Sequence, residues 1–142
     1  NIKNGILNVV NNTHLQGRWQ ILQENPKVIC DTAHNAHGLE MVMQQLKKET
    51  YNQLHIVLGV VNDKDLDAIL PLFPKNANYY FCKPKNERGL NATTLQEKAK
   101  SYQLNGNIYT SVSKAYKSAL EKSSDKDLIF IGGSNFVVSE II

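Results

Sequence analysis

The regular alternation of short apolar runs with helical patterns is the sequence feature that most limits the fold of this chain. The runs predicted to be strands are Arg18–Leu22, Val28–Cys30, His55–Leu58, Tyr79–Cys82, Asn107–Tyr109 and Leu128–Ile131. The segments predicted to be helices are Ala36–Lys48, Asp65–Leu72, Thr93–Tyr102 and Ser113–Lys122. Strand–helix–strand units at this spacing form parallel sheets with helices on both faces. We therefore predict an α/β fold, a Rossmann-like three-layer α/β/α sandwich with a mostly parallel sheet.

The first two predicted strands should form an N-terminal antiparallel β-hairpin. A two-residue loop at Glu24-Asn25 pairs Gln23 with Pro26, and counting outward from that pair places Arg18 opposite Asp31. A three-residue loop shifts this pairing by only one position, so we expect Arg18 and Asp31 to be neighbours. A guanidinium beside a carboxylate can bind a nucleotide, since Arg contacts phosphate oxygens and Asp accepts hydrogen bonds from ribose hydroxyls. The alternative is a cross-strand ion pair worth under about 1 kcal/mol.

Polar residues follow the predicted strands at their carboxyl ends, where open parallel sheets bind ligands. The densest set is the run Cys30-Asp31-Thr32-Ala33-His34-Asn35-Ala36-His37, which lies at a strand-to-helix junction. His34 and His37 are close enough along a helix to share a metal ion, but no third ligand is evident, and hydrogen-bonding histidines are commoner. We predict no metal site from these residues.

The turn Gly132-Gly133-Ser134 after the last predicted strand has two interpretations. Its backbone N–H groups can bind an anion at a helix N-terminus, or its glycines simply allow a tight turn. The sequence contains no Walker A motif and no GxGxxG pattern. A self-sufficient P-loop enzyme or Rossmann dehydrogenase is therefore disfavoured.

The composition is that of one globular domain, which we expect to cover residues 1–142. The net charge of +3 is dispersed along the chain, which argues against a nucleic-acid partner. The two cysteines, Cys30 and Cys82, lie in apolar runs and indicate buried thiols in a reducing, cytoplasmic setting. No apolar stretch approaches the length needed to cross a bilayer, so no membrane partner is expected. Because the chain begins at Asn1 rather than Met, we expect it to be excised from a larger enzyme.

The polar motifs, in their order along the chain, resemble the C-terminal domain of the folylpolyglutamate synthase/dihydrofolate synthase family, a branch of the Mur ligase superfamily. The matching motifs are Gln16-Gly17-Arg18, Asp31 to His37, Gly59-Val60-Val61-Asn62-Asp63-Lys64-Asp65, Pro84 to Gly89, and Gly133-Ser134. The Asp-x-Ala-His-Asn core is shared with Mur ligases in general, whereas Asp63-Lys64-Asp65 favours the folate branch. The resemblance extends over nearly the whole chain.

The resemblance implies an ATP-dependent carboxylate–amine ligase that adds L-glutamate to folate or dihydropteroate through an acyl-phosphate intermediate. In that family an N-terminal domain, absent here, carries the P-loop and most Mg²⁺ ligands, and ATP binds between the two domains. By position, Arg18 would contact an ATP phosphate and Asp31 the ribose. The isolated chain is then expected to be inactive, and the whole enzyme to be a cytoplasmic monomer.

The resemblance also implies roles for residues around this nucleotide site. His34 would be a catalytic residue facing the interdomain cleft, with Ser134 hydrogen-bonded to it and holding its orientation. Asn35 and Arg88 would bind substrate, with the Arg88 guanidinium contacting a carboxylate of glutamate or of a glutamyl tail. For Arg88, a surface position in a polar loop is the alternative interpretation.

Two other functions remain open on the sequence. One is the C-terminal domain of a Mur-type peptidoglycan ligase, which the substrate domain upstream of its P-loop domain would distinguish. The other is a non-catalytic nucleotide-binding α/β module that uses the Gly132-Gly133-Ser134 turn. Such a module would bind its ligand tightly by itself, whereas a ligase domain would bind ATP weakly in isolation.

Overall fold

The computed structural model describes residues 17–62 and 65–142, so the motif residues Gln16, Asp63 and Lys64 lie outside the described chain. The strands are β1 (Gln20–Gln23), β2 (Lys27–Cys30), β3 (Leu54–Leu58), β4 (Asn78–Phe81), β5 (Gly106–Ile108) and β6 (Leu128–Gly132). The helices are α1 (Ala36–Leu46), α2 (Leu66–Ile69), α3 (Ala92–Lys100), α4 (Val112–Lys122) and α5 (Asn135–Ser139). A 3₁₀ turn at Leu70–Leu72 extends α2.

All six strands form one sheet in the order β1-β2-β6-β3-β4-β5. β1 is antiparallel to β2, and every other neighbouring pair is parallel. This confirms the predicted α/β class, with an antiparallel hairpin followed by a parallel sheet. Because β2, β3, β4 and β6 point the same way, the loops that follow them meet at one edge, here called the carboxyl edge.

Successive residues of each parallel strand pack into two different apolar layers, because side chains alternate between the faces of a sheet. In β6, Phe130 contributes to the layer that contains α1, α2 and α3, whereas Ile129 and Ile131 contribute to the layer that contains α4 and α5. Both faces of the sheet are therefore covered, and the predicted three-layer sandwich is confirmed. None of the helices within the described ranges is long and apolar enough to cross a membrane.

The register of the hairpin differs from the prediction by one residue. Gln20 pairs with Cys30 and Ile21 with Ile29, and a β-bulge follows Ile21. At the turn the difference is two residues, since Gln23 pairs with Val28 rather than Pro26, and the bulge, an extra residue in one strand, reduces it to one from Ile21 onward. The residue beside Asp31 is consequently Trp19, whose backbone N–H donates a hydrogen bond to the carboxylate. Arg18 is therefore not directly opposite Asp31 but one position away, the shift that a three-residue loop would give, and both residues line one cavity.

Candidate functional site

A cavity of about 330 Å³ opens at the carboxyl edge, between the start of the hairpin and helix α1. Its polar wall is formed by Arg18, Asp31, His34 and Asn35. Its apolar wall comes from the loop after β2 and from α1, through Ala33, Met41 and Val42. The structure thus brings four of the six predicted site residues to one cavity.

Asp31 joins the two backbone segments that line this cavity. Its side chain is buried, with 8% of the residue exposed. One carboxylate oxygen accepts a hydrogen bond from the Trp19 N–H and the other from the Ala33 N–H, both at 2.8 Å. A carboxylate oxygen accepts two hydrogen bonds, so each retains acceptor capacity. Asp31 is therefore a structural anchor that still presents acceptors to a ligand.

Arg18 is an exposed residue of the turn that precedes β1. The turn is held to the loop after β2, since the Thr32 N–H donates to the Gly17 carbonyl at 2.9 Å. Gly17 has φ +86°, and a Cβ at this position would lie 2.8 Å from Thr32 Cγ2. Glycine is required here by both the backbone conformation and the close approach. The guanidinium thus projects from a tightly packed turn at the mouth of the cavity.

His34 and Asn35 lie at the start of α1, and both are exposed. Asn35 is the N-cap, and its Oδ1 accepts a hydrogen bond from the Gly38 N–H at 2.8 Å. His34 Nδ1 lies 3.4 Å from the Thr32 carbonyl oxygen. A carbonyl oxygen only accepts, so this contact is a hydrogen bond when Nδ1 carries a proton.

Ser134 lies apart from this cavity and does not contact His34. It is 1% exposed, and its Oγ accepts a hydrogen bond from the Val137 N–H at 3.2 Å, which caps α5. The predicted Ser134–His34 hydrogen bond is not formed in the described chain: Ser134 Oγ accepts from Val137, and His34, exposed at the start of α1, contacts the Thr32 carbonyl. Gly133, with φ +105°, would place a Cβ 2.3 Å from the Gly59 carbonyl oxygen. The structure accordingly favours the tight-turn interpretation of this glycine pair.

Arg88 also lies outside the lining of the cavity, in the loop after β4. Its backbone N–H donates to Asn86 Oδ1 at 2.8 Å, and its carbonyl accepts from the Asn62 N–H at 2.6 Å. A further backbone bond, from Leu90 to the Val60 carbonyl, joins the loops after β3 and β4. Arg88 is thus held at the carboxyl edge, and its role in binding substrate stays a prediction.

Sequence reasoning missed a buried polar cluster at the opposite edge of the sheet, formed by His55, Tyr80 and Asp127. His55 Nε2 lies 2.9 Å from Asp127 Oδ2, and His55 Nδ1 lies 2.8 Å from the Tyr80 hydroxyl. Burial raises the pKa of Tyr80 to about 12. Burial alone would raise the pKa of Asp127, but hydrogen bonds from His55, Ser124 and the Gln53 amide outweigh it and lower that pKa. The only signal in the sequence was a histidine inside an apolar strand.

Metal ligands do not gather in the part of the chain that the structure describes. Residues 17–62 and 65–142 contain no group of three or more His, Cys, Asp or Glu side chains placed to hold an ion. His34 and His37 both lie at the start of α1 without a third such ligand.

Comparison with known protein families identifies the domain that carries this cavity. Residues 17–135 match the profile described as Mur ligase, glutamate ligase domain. The chain belongs to the Mur ligase glutamate ligase domain family. The matched range includes Arg18, Asp31 and His34, together with the whole sheet.

Two relatives of this glutamate ligase domain carry folate-related names. The dihydrofolate synthase/folylpolyglutamate synthase of Escherichia coli is 30% identical over 143 residues, which cover 99% of this chain and 32% of that protein. The probable bifunctional folylpolyglutamate synthase/dihydropteroate synthase of Haloferax volcanii is 30% identical over 132 residues, covering 91% of this chain and 16% of its own length. The chain thus spans a third or less of each relative.

Solved structures contain the same domain. The E. coli FolC complex with DHPP and ADP aligns with a TM-score of 0.80 and 29% identity, covering 88% of this chain and 30% of that one. A bifunctional folylpolyglutamate synthase/dihydrofolate synthase with Mn, AMPPNP and L-glutamate bound aligns with a TM-score of 0.81 and 25% identity, covering 89% and 30%. The glutamate ligase domain described here therefore corresponds to one part of larger proteins.

Proposed function

We propose that residues 1–142 form the C-terminal domain of an ATP-dependent carboxylate–amine ligase that adds L-glutamate to folate or dihydropteroate. One observation carries this proposal: Arg18, Asp31 and His34 line a single cavity at the carboxyl edge of a glutamate ligase domain. The names of the relatives favour the folate branch over peptidoglycan ligases.

The residues around the cavity suit a nucleotide. Arg18 is exposed, and its fork of N–H donors matches the oxygens of a phosphate. Asp31 keeps acceptor capacity for a ribose hydroxyl after binding two backbone amides. The apolar Met41 and Val42 complete the opposite wall. When bound, ATP would supply the phosphoryl group that activates a substrate carboxylate, and a solved structure of a relative is a complex with ADP.

Other residues at this edge have separate proposed roles. His34 is the proposed catalytic residue, because it lines the cavity and is exposed to a ligand there. Asn35 lines the same cavity and would contact substrate, and Arg88 would contact a substrate carboxylate from the neighbouring loop. Ser134 caps α5 after the last strand, and a catalytic role for it stays a prediction.

The proposed enzyme needs a second domain. A P-loop domain of the same polypeptide would hold most of the Mg²⁺ ligands and complete the nucleotide site, which accounts for the partial coverage of the relatives. We expect no ligase activity from the 142-residue chain alone, and a monomeric, cytoplasmic whole enzyme. Turnover by the chain alone would contradict the two-domain proposal.

The proposal is tested by steady-state kinetics on the full-length protein. ATP, L-glutamate and either dihydropteroate or a reduced folate are supplied, and the glutamylated product and ADP are measured. Arg18→Ala should raise the KM for ATP about tenfold or more, since a hydrogen bond to a charged group contributes roughly 1.5–3 kcal/mol. Lys47→Ala, which removes an exposed positive charge outside the cavity, is the control. Activity only with a peptidoglycan precursor, or an unchanged KM in Arg18→Ala, would overturn the proposal.

A further inference from the structure

The amide side chain of Gln20 reaches back along the hairpin and binds the turn that carries Arg18. The Gly17 N–H donates a hydrogen bond to Gln20 Oε1 at 2.8 Å. We propose that Gln20 is a positioning residue that holds Arg18 at the nucleotide cavity. This inference rests on the proposed function, because it assigns Gln20 a role through the phosphate-binding arginine.

Hydrogen bonds fix the backbone on both sides of Arg18. On one side, the Gly17 N–H is bound by Gln20 and the Gly17 carbonyl by the Thr32 N–H, at 2.8 and 2.9 Å. On the other side, the Trp19 N–H is bound by Asp31 at 2.8 Å. Arg18 therefore lies between two residues whose backbones are held by hydrogen bonds, while its own side chain is exposed.

The conformation of this segment is one that needs such anchors. Gly17 and Trp19 both have positive φ, of +86° and +44°. A large non-glycine residue such as Trp19 seldom adopts a positive φ, and it does so where the surrounding contacts enforce it. Of the anchors, Thr32 contributes a backbone amide and Asp31 is part of the ligand site. Gln20 is thus the anchor whose side chain acts only on the turn, since it does not line the cavity.

The loss of this one acceptor should change the position of Arg18 more than the overall fold. Without the Gln20 oxygen the Gly17 N–H has no protein acceptor, and the turn is free to move toward a conformation with negative φ at Trp19. Gln20 pairs with Cys30 through its backbone, so a change of its side chain leaves the pairing of β1 with β2 in place. The consequence is weaker binding of ATP with little change in the chemical step.

The experiment measures KM for ATP and kcat in the full-length protein. Gln20→Met keeps the length of the side chain and removes the acceptor, and Gln20→Glu keeps an acceptor for the Gly17 N–H. Gln23→Met is the matched control, because Gln23 lies in the same strand and its side chain binds only the Pro26 carbonyl, at 3.1 Å. Loss of one hydrogen bond predicts an increase of about two- to tenfold in KM for Gln20→Met. KM for Gln20→Glu should lie nearer the wild type, and Gln23→Met should match it.

A double-mutant cycle with Arg18→Ala separates positioning from general destabilisation. If Gln20 acts through Arg18, Gln20→Met should not raise KM further when Arg18 is already alanine. Additive effects, a wild-type KM in Gln20→Met, or an equal loss in Gln23→Met would overturn the inference while leaving the nucleotide site intact. An unchanged KM in Arg18→Ala alone would instead overturn the proposed function.

Discussion

Replacement of Asp127 by alanine should destabilise the domain far more than an ordinary change of surface charge. The Asp127 carboxylate accepts four hydrogen bonds, from His55 Nε2 at 2.9 Å, Ser124 Oγ at 3.0 Å, the Ser124 N–H at 3.1 Å and the Gln53 N–H at 3.2 Å. Asp127 and His55 are 5% and 2% exposed, so water does not replace these bonds without rearrangement. The change removes the common acceptor of three residues, two at the start of β3 and one in the loop before β6.

The size of the effect follows from the groups left without partners. A buried donor left without an acceptor costs about 1–3 kcal/mol, and His55 Nε2 and the Gln53 N–H both lose theirs, so we expect a loss of about 2–4 kcal/mol. A domain of this size is stable by about 5–15 kcal/mol in total, so the loss is a large fraction of its stability. Asp127→Asn keeps one acceptor oxygen and should lie between the wild type and Asp127→Ala.

Urea unfolding of the 142-residue chain at neutral pH measures this loss. Asp125→Ala is the matched control, because it removes the same charge from an exposed position in the same loop and should change stability by less than about 0.5 kcal/mol. A loss of unfolding free energy below about 1 kcal/mol in Asp127→Ala would refute the argument that this cluster stabilises the edge of the sheet opposite the carboxyl edge.

The same cluster predicts a dependence on pH. The folded-state pKa of Asp127 lies below the ordinary carboxyl value of 3.8, because its hydrogen bonds outweigh the effect of burial. A lowered folded-state pKa contributes stability that is fully present above the unfolded-state pKa and is lost as the pH falls through the folded-state value. The stability gap between the wild type and Asp127→Asn should therefore narrow below about pH 4. A gap that stays constant down to pH 2 would contradict this assignment.

Two further predictions concern Ser134 and the cysteines. Ser134→Ala removes the cap of α5 and should cost about 1 kcal/mol of stability in urea unfolding. Because Ser134 does not line the cavity, turnover should fall less in this variant than in His34→Ala. An equal fall in turnover would support the predicted catalytic role of Ser134. Burial raises the thiol pKa of both Cys30 and Cys82 to about 12, so alkylation of the native chain at pH 8 should be much slower than after unfolding. Equal rates in the two states would show that the thiols are accessible.

The elements of the fold were predictable because most of them carry a local signal. The apolar spacing of Leu39, Val42, Met43 and Leu46 predicted α1, and these four residues are the buried face of that helix. Helix boundaries were less exact. Helix α3 begins at Ala92, one residue before the predicted start at Thr93, and its N-cap is Asn91. The gathering of Asp31, His34 and Arg18 at one cavity was also predictable, since the carboxyl ends of parallel strands share an edge.

The remaining features depend on contacts that no local pattern encodes. The hairpin turn closes with Gln23 opposite Val28 rather than Pro26, and the β-bulge after Ile21 offsets only one residue of this shift, so Asp31 binds the Trp19 amide rather than facing Arg18. Ser134 follows a glycine pair in sequence, but whether its hydroxyl faces a ligand or caps α5 depends on tertiary packing. The partners of His55 lie 25 and 72 residues away along the chain, so the strand pattern showed a histidine without its network.

The most direct test of the proposed ligase site compares His34 and His37, which lie on either side of the first residue of α1. His34 lines the cavity, whereas His37, three residues later and also exposed, does not. In the full-length protein, ATP- and glutamate-dependent extension of a reduced folate should fall about a hundredfold in His34→Ala, the effect of losing roughly 3 kcal/mol of transition-state stabilisation. His37→Ala should stay within about twofold of the wild type, which is the range of a surface change of about 0.4 kcal/mol. Wild-type turnover in a folded His34→Ala variant, or an equal loss in both variants, would contradict the assignment of this cavity as the active site.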